Sequence, residues 1–398
     1  MDIILGLLAI LAVIGLAMLM SNNRGKIPFK GIIIMILLQL FVTWFMFQTE
    51  IGQDIIKGIA AVFNKLIEFG TNGVNFVVGG IAIEEGASVF FFDVLLIIVF
   101  FATILSVLTY LKVLPLLIKY LGGALSFLTG LPKIESFTAV NSMFFGQSEA
   151  LIAVQSQFHR ITENRLYIVS ASAMGSVSAS IIGAYMQMLP DEYVLVAIPL
   201  NMFSALIVAS IIAPPVVEDK DDDVDIDDVS GAKSIFEAMA NGALDGGKIA
   251  LIVATMLIAF LASLELVNYI VGVVIPVEGA SLEAGLGYLL LPLTFLMGIN
   301  PGELVDAGSI MGLKIVTNEF VAMLELVDMQ DQFSEKTMGI VSVFLTSFAN
   351  FGSIGIIAGT VAGIDSEKGK TVSRFGLKLL TGATLASILS ATIAGLFL

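Results

Sequence analysis

Long apolar stretches constrain the fold of this chain more than any other feature of its sequence. A transmembrane helix needs about 20 apolar residues, and such stretches fall near residues 3–20, 31–48, 92–118, 166–188, 193–215, 248–275, 338–362 and 376–397. Charged residues make up 13% of the chain, whereas soluble domains carry about 25%. We therefore predict an all-α polytopic membrane protein with eight transmembrane helices.

The composition excludes several kinds of site. Cysteine is absent, which rules out disulfides, thiolate metal sites and cysteine nucleophiles. The single histidine, His159, cannot by itself form a multi-histidine metal centre, and we interpret it as a residue at the base of a hairpin. An intramembrane hydrolase would need an activated serine, paired aspartates or a metal cluster. The sequence offers none of these, so we do not expect an enzyme.

Two short polar stretches interrupt apolar sequence at membrane depth. The first, Gly146-Gln147-Ser148-Glu149, lies between apolar runs at 137–145 and 150–154, and the second is centred on Asn318-Glu319. Ionisable residues in such positions are rare because they are costly, and they usually mark a functional site. We predict that the two polar tips face each other and bind a small polar solute.

The two halves of the chain repeat one pattern. A turn near Pro132 or Pro301 precedes each polar tip, and a span rich in small and hydroxyl residues follows it, at 170–180 and at 346–355. Interrupted helices at matching places of an internal repeat are typical of secondary transporters. Non-helical backbone survives at membrane depth only where it is buried or lines a cavity. We predict two re-entrant hairpins and two broken helices that meet at the midplane.

Basic residues predict the orientation, because they concentrate in cytoplasmic loops. They lie in the first loop, at the base of the first hairpin and before the last span, whereas acidic residues flank the second hairpin. The hairpins thus enter from opposite faces, which makes the repeat inverted. The basic residues are Arg24, Lys26, Lys30, Lys112, Lys119, Lys133, Arg160, Arg165, Lys368, Lys370 and Arg374. We predict a multi-pass protein of a bacterial inner membrane with both termini outside.

The remaining segments complete the predicted organisation. Residues 51–70 have the pattern of an amphipathic helix, 71–90 are expected to be irregular, and 218–228 form a solvated acidic linker. Lys314, near the second tip, is interpreted as an interfacial lysine. The predicted units are N-terminal helices with the amphipathic segment (1–90), a scaffold helix (91–120), the first repeat (121–217), the acidic linker (218–232), a further amphipathic segment with a second scaffold helix (233–280) and the second repeat (281–398).

Three motifs identify a family. Gly146-Gln147-Ser148-Glu149-Ala150, Asn318-Glu319-Phe320-Val321-Ala322 and the stretch 347–355, which reads SFANFGSIG, closely resemble the signature motifs of the concentrative nucleoside transporters and occur in the same order. The resemblance covers essentially the whole chain. It implies a homotrimer in the lipid bilayer. Each protomer would have a scaffold, chiefly the third and sixth helices, and a moving transport domain that carries both hairpins.

The resemblance also implies roles for individual residues. The nucleobase would contact Gln147, Ser148 and Glu149, with Ile181 packing nearby. The ribose hydroxyls would contact Glu319, Asn350 and Ser353, with Phe348 close by. A sodium ion would be bound by Asn141 or Ser142, by the backbone carbonyls of Phe145 and Val177, and by Ser176. A proton remains the alternative coupling ion.

The chemistry of these residue types agrees with such a substrate. Gln147 both donates and accepts, so it can pair with the edge of a base, and a carboxylate accepts hydrogen bonds from two hydroxyls. The tips contain no Arg or Lys, which argues against phosphorylated substrates and nucleic acid. We predict a cation-coupled symporter that imports nucleosides such as uridine by elevator-type alternating access. A passive channel is the competing membrane function.

Overall fold

The computed structural model describes residues 2–80, 89–158, 161–216, 231–275, 277 and 280–398. Within these ranges the chain forms seventeen α-helices and no β-strand. His159, Arg160 and the acidic run 218–228 lie outside the described residues. Three helices precede the repeat: α1 (Asp2–Leu19), α2 (Phe29–Gln48) and α3 (Glu50–Val78).

Two sets of seven helices follow in the same order, as the predicted repeat requires. The first set is α4 (Ile97–Tyr110), α5 (Val113–Thr129), α6 (Lys133–Asn141), α7 (Gln147–Ile152), α8 (Glu163–Met174), α9 (Ala179–Tyr185) and α10 (Asp191–Ile212). The second set is α11 (Ile235–Val274), α12 (Leu282–Leu296), α13 (Leu304–Val316), α14 (Glu319–Asp328), α15 (Glu335–Leu345), α16 (Phe351–Ile364) and α17 (Ser366–Gly395). In each set the third and fourth helices form a hairpin, and the fifth and sixth form one broken span.

The helices support the predicted polytopic membrane fold. Among the described residues, six helices are long and apolar enough to cross a membrane. The shorter α1 is also apolar, and the predicted span 338–362 is divided between α15 and α16. The prediction of one span over 92–118 is wrong. The helix ends at Tyr110 and a new one begins at Val113, because Lys112 between them adopts the left-handed conformation, with φ of 62°.

The segment after the second span differs in part from its prediction. Residues 51–70 are helical, and α3 buries Ile56 and Ala60 while its charged residues are exposed, as expected of an amphipathic helix. The prediction that residues 71–90 are irregular is wrong up to Val78, because α3 continues that far. Apolar residues at helical spacing, among them Val74 and Val77, extend the helix beyond the glycines at 70 and 73.

The core lies in the helices that carry the broken spans. α8, α9, α10 and the second half of α17 are buried over almost their whole length. By contrast, the 40-residue helix α11 buries only five residues, four of them Ala or Gly. A Cβ added to Gly242 or Gly246 would lie 2.7 Å or less from backbone atoms of α4. Small residues therefore let α4 and α11 pack backbone to backbone, as in other membrane helix pairs.

Candidate functional site

Both polar tips begin a helix. Glu149 lies in the first turn of α7, and its carboxylate folds back on Gly146, where an added Cβ would lie 2.5 Å from Glu149 Oε2. Glu319 is the first residue of α14, which is capped by Asn318 through a hydrogen bond from Val321 N to Asn318 Oδ1 (3.1 Å). The first-turn position favours negative charge in the ten-residue α14.

The two broken spans meet at their breaks. The first break separates α8 from α9, and the second separates α15 from α16. Phe348 N donates to Ser176 O (3.1 Å), which joins one break to the other. Asn350 caps α16 through a hydrogen bond from Ser353 N to its Oδ1 (2.9 Å). The first hairpin touches this junction, because Ala179 N donates to Phe144 O (3.1 Å). Both tips and both breaks thus surround one region of the protein.

A cavity of about 200 Å³ lies in this region. All eight residues predicted to contact the substrate line it, namely Gln147, Ser148, Glu149, Ile181, Glu319, Phe348, Asn350 and Ser353. The structure therefore brings together residues separated by as many as 206 positions in the sequence. Their roles toward a substrate stay a prediction.

Glu319 is buried and held on both carboxylate oxygens. Tyr185 Oη donates to Oε1 (2.9 Å), and Asn350 Nδ2 donates to Oε2 (3.0 Å). Only 5% of Glu319 is exposed. Each carboxylate oxygen can accept two hydrogen bonds, so the carboxylate keeps acceptor positions beyond those used by Tyr185 and Asn350, on a residue that lines the cavity. A bound hydroxyl-rich solute can use these acceptors.

The first tip presents further polar groups. Thr360 Oγ1 donates to Ser148 Oγ (2.9 Å), which ties the tip to α16. Gln147 Oε1 and Ser353 Oγ are buried and have no protein partner among the described residues. Buried polar atoms in folded proteins are nearly always hydrogen-bonded, so these two atoms are suited to a ligand. Glu149, by contrast, is exposed, because it also lines a second and larger cavity.

The larger cavity, of about 610 Å³, continues from the smaller one. Both are lined by Gly146, Glu149, Ser178, Ser180 and Ile249. From there the larger cavity runs between the C-terminal half of α4, the N-terminal half of α11 and residues 152–156 of the first hairpin. The site is therefore reached from the side on which the first hairpin has its base.

The predicted ion ligands are buried where the first hairpin meets the first break. Asn141, Ser142, Ser176 and Val177 are each at most 1% exposed, and Phe145 is half-buried. Ser142 Oγ donates to Ala139 O (2.8 Å) and Ser176 Oγ to Ala173 O (3.3 Å), so both hydroxyls keep lone pairs. Hydroxyl, amide and carbonyl oxygens are hard ligands suited to a hard cation. Both Asn141 and Ser142 stay available as the side-chain ligand.

Sequence reasoning missed several residues of the site. Tyr185 lies four positions after Ile181, hence on the same face of α9, and this spacing is the signal that would have found it. Thr360 carries no comparable signal. The interpretation of Lys314 as an interfacial lysine is wrong, because the residue is fully buried behind the second tip. Buried carbonyl and hydroxyl groups of the second break attract it there.

Arg165, used as a basic marker at the base of the first hairpin, is buried. Its guanidinium forms an ion pair with Glu135, and the orientation that it was used to predict stays a prediction. Nε donates to Oε1 (2.6 Å) and Nη2 to Oε2 (2.8 Å), which is the bidentate geometry. This pair joins α6 of the hairpin to α8 of the broken span.

Comparison with known proteins gives consistent matches over the chain. Family models described as Na+ dependent nucleoside transporter N-terminus, nucleoside recognition, and Na+ dependent nucleoside transporter C-terminus match residues 8–81, 91–192 and 193–395. The purine nucleoside transport protein NupG of Bacillus subtilis is 36% identical over the full length of both chains. The nucleoside permease NupC of Helicobacter pylori is 32% identical, with 98% of each chain covered.

A solved structure matches the fold. The structure of CNTnw in an inward-facing substrate-bound state has a TM-score of 0.94 and 33% identity, and the match covers 100% of this chain and 98% of that one. An outward-facing variant of CNTnw also matches with a TM-score of 0.94.

Proposed function

The chain belongs to the Na+ dependent nucleoside transporter family, and from this premise we propose that it imports nucleosides together with sodium. It is a nucleoside transporter and not an enzyme. Sodium is proposed as the coupling ion because the family model carries that description and because oxygen ligands are buried beside the first tip. A proton is the second candidate, supported by the two carboxylates that line the cavity.

The proposed substrate orientation rests on the hydrogen-bonding capacity of the cavity. Glu319, Asn350 and Ser353 bind the ribose, since the Glu319 carboxylate can accept hydrogen bonds from ribose hydroxyls besides those from Tyr185 and Asn350. Gln147, Ser148 and Glu149 bind the nucleobase, with Ile181 and Phe348 covering its apolar faces. The single observation that carries this proposal is the Tyr185–Glu319–Asn350 network at the wall of the cavity.

Sodium binding is proposed to prepare the first tip. The ion contacts Asn141 or Ser142, Ser176, and the carbonyls of Phe145 and Val177. These residues lie on both sides of the contact between the hairpin turn and the first break. When that contact closes, it holds Gln147 and Glu149, the next residues along the turn, in the positions that bind the nucleoside. Ion and nucleoside then raise each other's affinity by the same factor, as linkage requires.

Transport is proposed to follow an elevator-type alternating-access mechanism. The α4 and α11 pair belongs to the scaffold, and the hairpins with the broken spans belong to the moving transport domain. The larger cavity opens on the side where basic residues predict the cytoplasm, so we assign an inward-facing conformation. The exposed apolar surface of α11 suits contact with lipid and with two further copies in a homotrimer. The proposed location is a bacterial inner membrane with both termini outside.

Uptake into proteoliposomes tests the function. Purified protein is reconstituted, and radiolabelled uridine and a purine nucleoside are supplied with an inward sodium gradient at constant pH. We expect accumulation above the external concentration, which is lost when choline replaces sodium. Uptake that only equilibrates would indicate a passive channel, and accumulation driven by a pH gradient without sodium would indicate proton coupling. Comparison of the two nucleosides also tests for the purine preference that the name of the Bacillus subtilis relative suggests.

A further inference from the structure

Lys314 occupies an unusual position for a lysine. It lies in α13 of the second hairpin and is fully buried. Its Nζ donates to Phe344 O (2.5 Å) and to Ser347 Oγ (2.6 Å), and it lies 4.3 Å from the centre of the Phe344 ring. An ammonium group taken into the protein interior needs such partners to offset its lost hydration. The lysine therefore joins the second hairpin to the second broken span.

The hydrogen-bond directions are consistent with a charged lysine that donates. Ser387 Oγ donates to Ala383 O (3.1 Å) and lies 2.8 Å from Ser347 Oγ. A serine hydroxyl has one hydrogen, so Ser347 donates to Ser387 and accepts from Lys314. Phe344 O belongs to the last turn of α15, where carbonyls lack helical partners and carry the negative end of the helix dipole. This end of α15 is thus a place for a cation.

The first repeat also has a backbone carbonyl and a serine hydroxyl at the end of its broken helix, but no lysine in the described part of the chain binds them. Phe344 is one residue before the end of α15, and Ser347 is two residues after it. Ala173 and Ser176 have these same positions relative to the end of α8, and there Ser176 Oγ donates to Ala173 O (3.3 Å). Ser176 is also one of the proposed sodium ligands. The place that the ammonium takes in the second repeat therefore corresponds to the neighbourhood of the sodium site in the first.

The two hairpins differ at the position five residues before the glutamate of the tip. Lys314 is five residues before Glu319, and the residue five before Glu149 is Phe144. Phe144 carries no charge, and its backbone carbonyl accepts from Ala179 N at the first break. At the position that corresponds to Lys314, the first repeat thus has a phenylalanine whose backbone contacts the break, whereas the second repeat provides a cationic side chain.

We propose that Lys314 is a tethered counterpart of the coupling ion. In the second repeat its ammonium holds the hairpin that carries Glu319 against the break, as sodium does in the first. Lys314 is a positioning residue that keeps Glu319 oriented toward the ribose. The second repeat then needs no ion, and one sodium accompanies each nucleoside. This inference rests on the proposed function, because it presupposes sodium coupling.

Two substitutions at Lys314 test the role of its charge. Lys314→Ala removes the ammonium and leaves space, whereas Lys314→Met removes the charge and fills most of that space. At low sodium we expect both variants to bind nucleoside about 10-fold or more weakly, because charge-assisted hydrogen bonds are lost. In Lys314→Ala, added sodium enters the vacated space and restores the affinity. Lys370→Ala, at an exposed position, is the control.

The sodium dependence separates this role from a merely structural one. The Hill coefficient for sodium rises from about 1 toward 2 in Lys314→Ala and stays near 1 in Lys314→Met, because it reflects the number of coupled ion sites. Thermal unfolding in detergent establishes that each variant is folded. The reversal potential of uptake by the parent protein gives the charge per nucleoside independently of any variant, and we expect one.

Three results have distinct meanings. A Lys314→Ala protein with the nucleoside affinity and sodium dependence of the parent overturns the inference. A ratio of two sodium ions per nucleoside in the parent overturns it as well, even if neither variant folds. Sodium-independent accumulation by the parent contradicts the sodium coupling in the proposed function, so the two failures are distinguishable.

Discussion

Replacement of Glu319 by glutamine provides the sharpest test of the substrate orientation. The carboxylate accepts from Tyr185 and Asn350, at 2.9 and 3.0 Å, and keeps further acceptor capacity. The two ribose hydroxyls are assigned to this remaining capacity. Glu319→Gln preserves the shape of the side chain, but it removes the charge and turns one acceptor into a donor.

The expected loss of affinity follows from this count. A hydrogen bond to a charged group contributes about 1.5–3 kcal/mol, and a neutral one about 0.5–1.5 kcal/mol. Two charge-assisted bonds in the parent, about 3–6 kcal/mol together, become one neutral bond in the variant, so binding weakens by about 1.5–5.5 kcal/mol. This corresponds to a rise in Kd of about 10- to 10,000-fold.

The assay is a double-mutant cycle between protein and ligand. Sodium-dependent binding of uridine and of its 2′,3′-dideoxy analogue is measured by calorimetry for the parent and for Glu319→Gln. If the carboxylate binds the ribose hydroxyls, the variant loses affinity for uridine and little for the analogue, so the two changes are not additive. Glu325→Gln is the matched control, because Glu325 lies on the same helix, is exposed and does not line the cavity.

Additive losses would refute the reasoning. If Glu319→Gln weakens uridine and the dideoxy analogue equally, the carboxylate acts on the protein alone and the ribose assignment is wrong. Thermal unfolding in detergent, compared with that of Glu325→Gln, establishes that the variant is folded. Unchanged uridine binding by Glu319→Gln would remove Glu319 from the site altogether.

Three further predictions concern the ion site, the buried ion pair and the first tip. Asn141→Leu raises the sodium concentration for half-maximal uptake by about 10-fold or more, because one oxygen ligand is lost; sodium titration of uptake measures this. Arg165→Met lowers stability by about 3–5 kcal/mol, since the buried carboxylate of Glu135 loses its bidentate guanidinium partner, and thermal unfolding in detergent detects the loss. Thr360→Val removes the donor to Ser148 Oγ and weakens nucleoside binding by about 2- to 10-fold.

Each of these predictions has its own control. An unchanged sodium response of Asn141→Leu, with a response altered by Ser142→Ala, would transfer the ligand role to Ser142. The double variant Glu135→Gln with Arg165→Met removes both charges, so it recovers most of the lost stability; no recovery would contradict the ion-pair explanation. Equal binding by Thr360→Val and the parent would show that Ser148 is positioned by other contacts.

The sequence by itself determined the membrane class, the two polar tips and the repeated order of hairpin and broken span. These features are local, because the thickness of the bilayer sets the length of an apolar run and a glutamate between two such runs is conspicuous wherever it occurs. The same local signals carried the family resemblance, which the comparisons confirm.

Contacts between distant segments were decided only by the tertiary structure. Tyr185 and Glu319 are 134 positions apart, and Ser148 and Thr360 are 212 apart. The break at Lys112 and the burial of Arg165 and Lys314 likewise depend on what packs beside them. Hydropathy treats a lysine or an arginine as a residue for the membrane surface. A basic residue lies in the core only when folding brings carbonyl, hydroxyl or carboxylate partners around it, and those partners come from other helices.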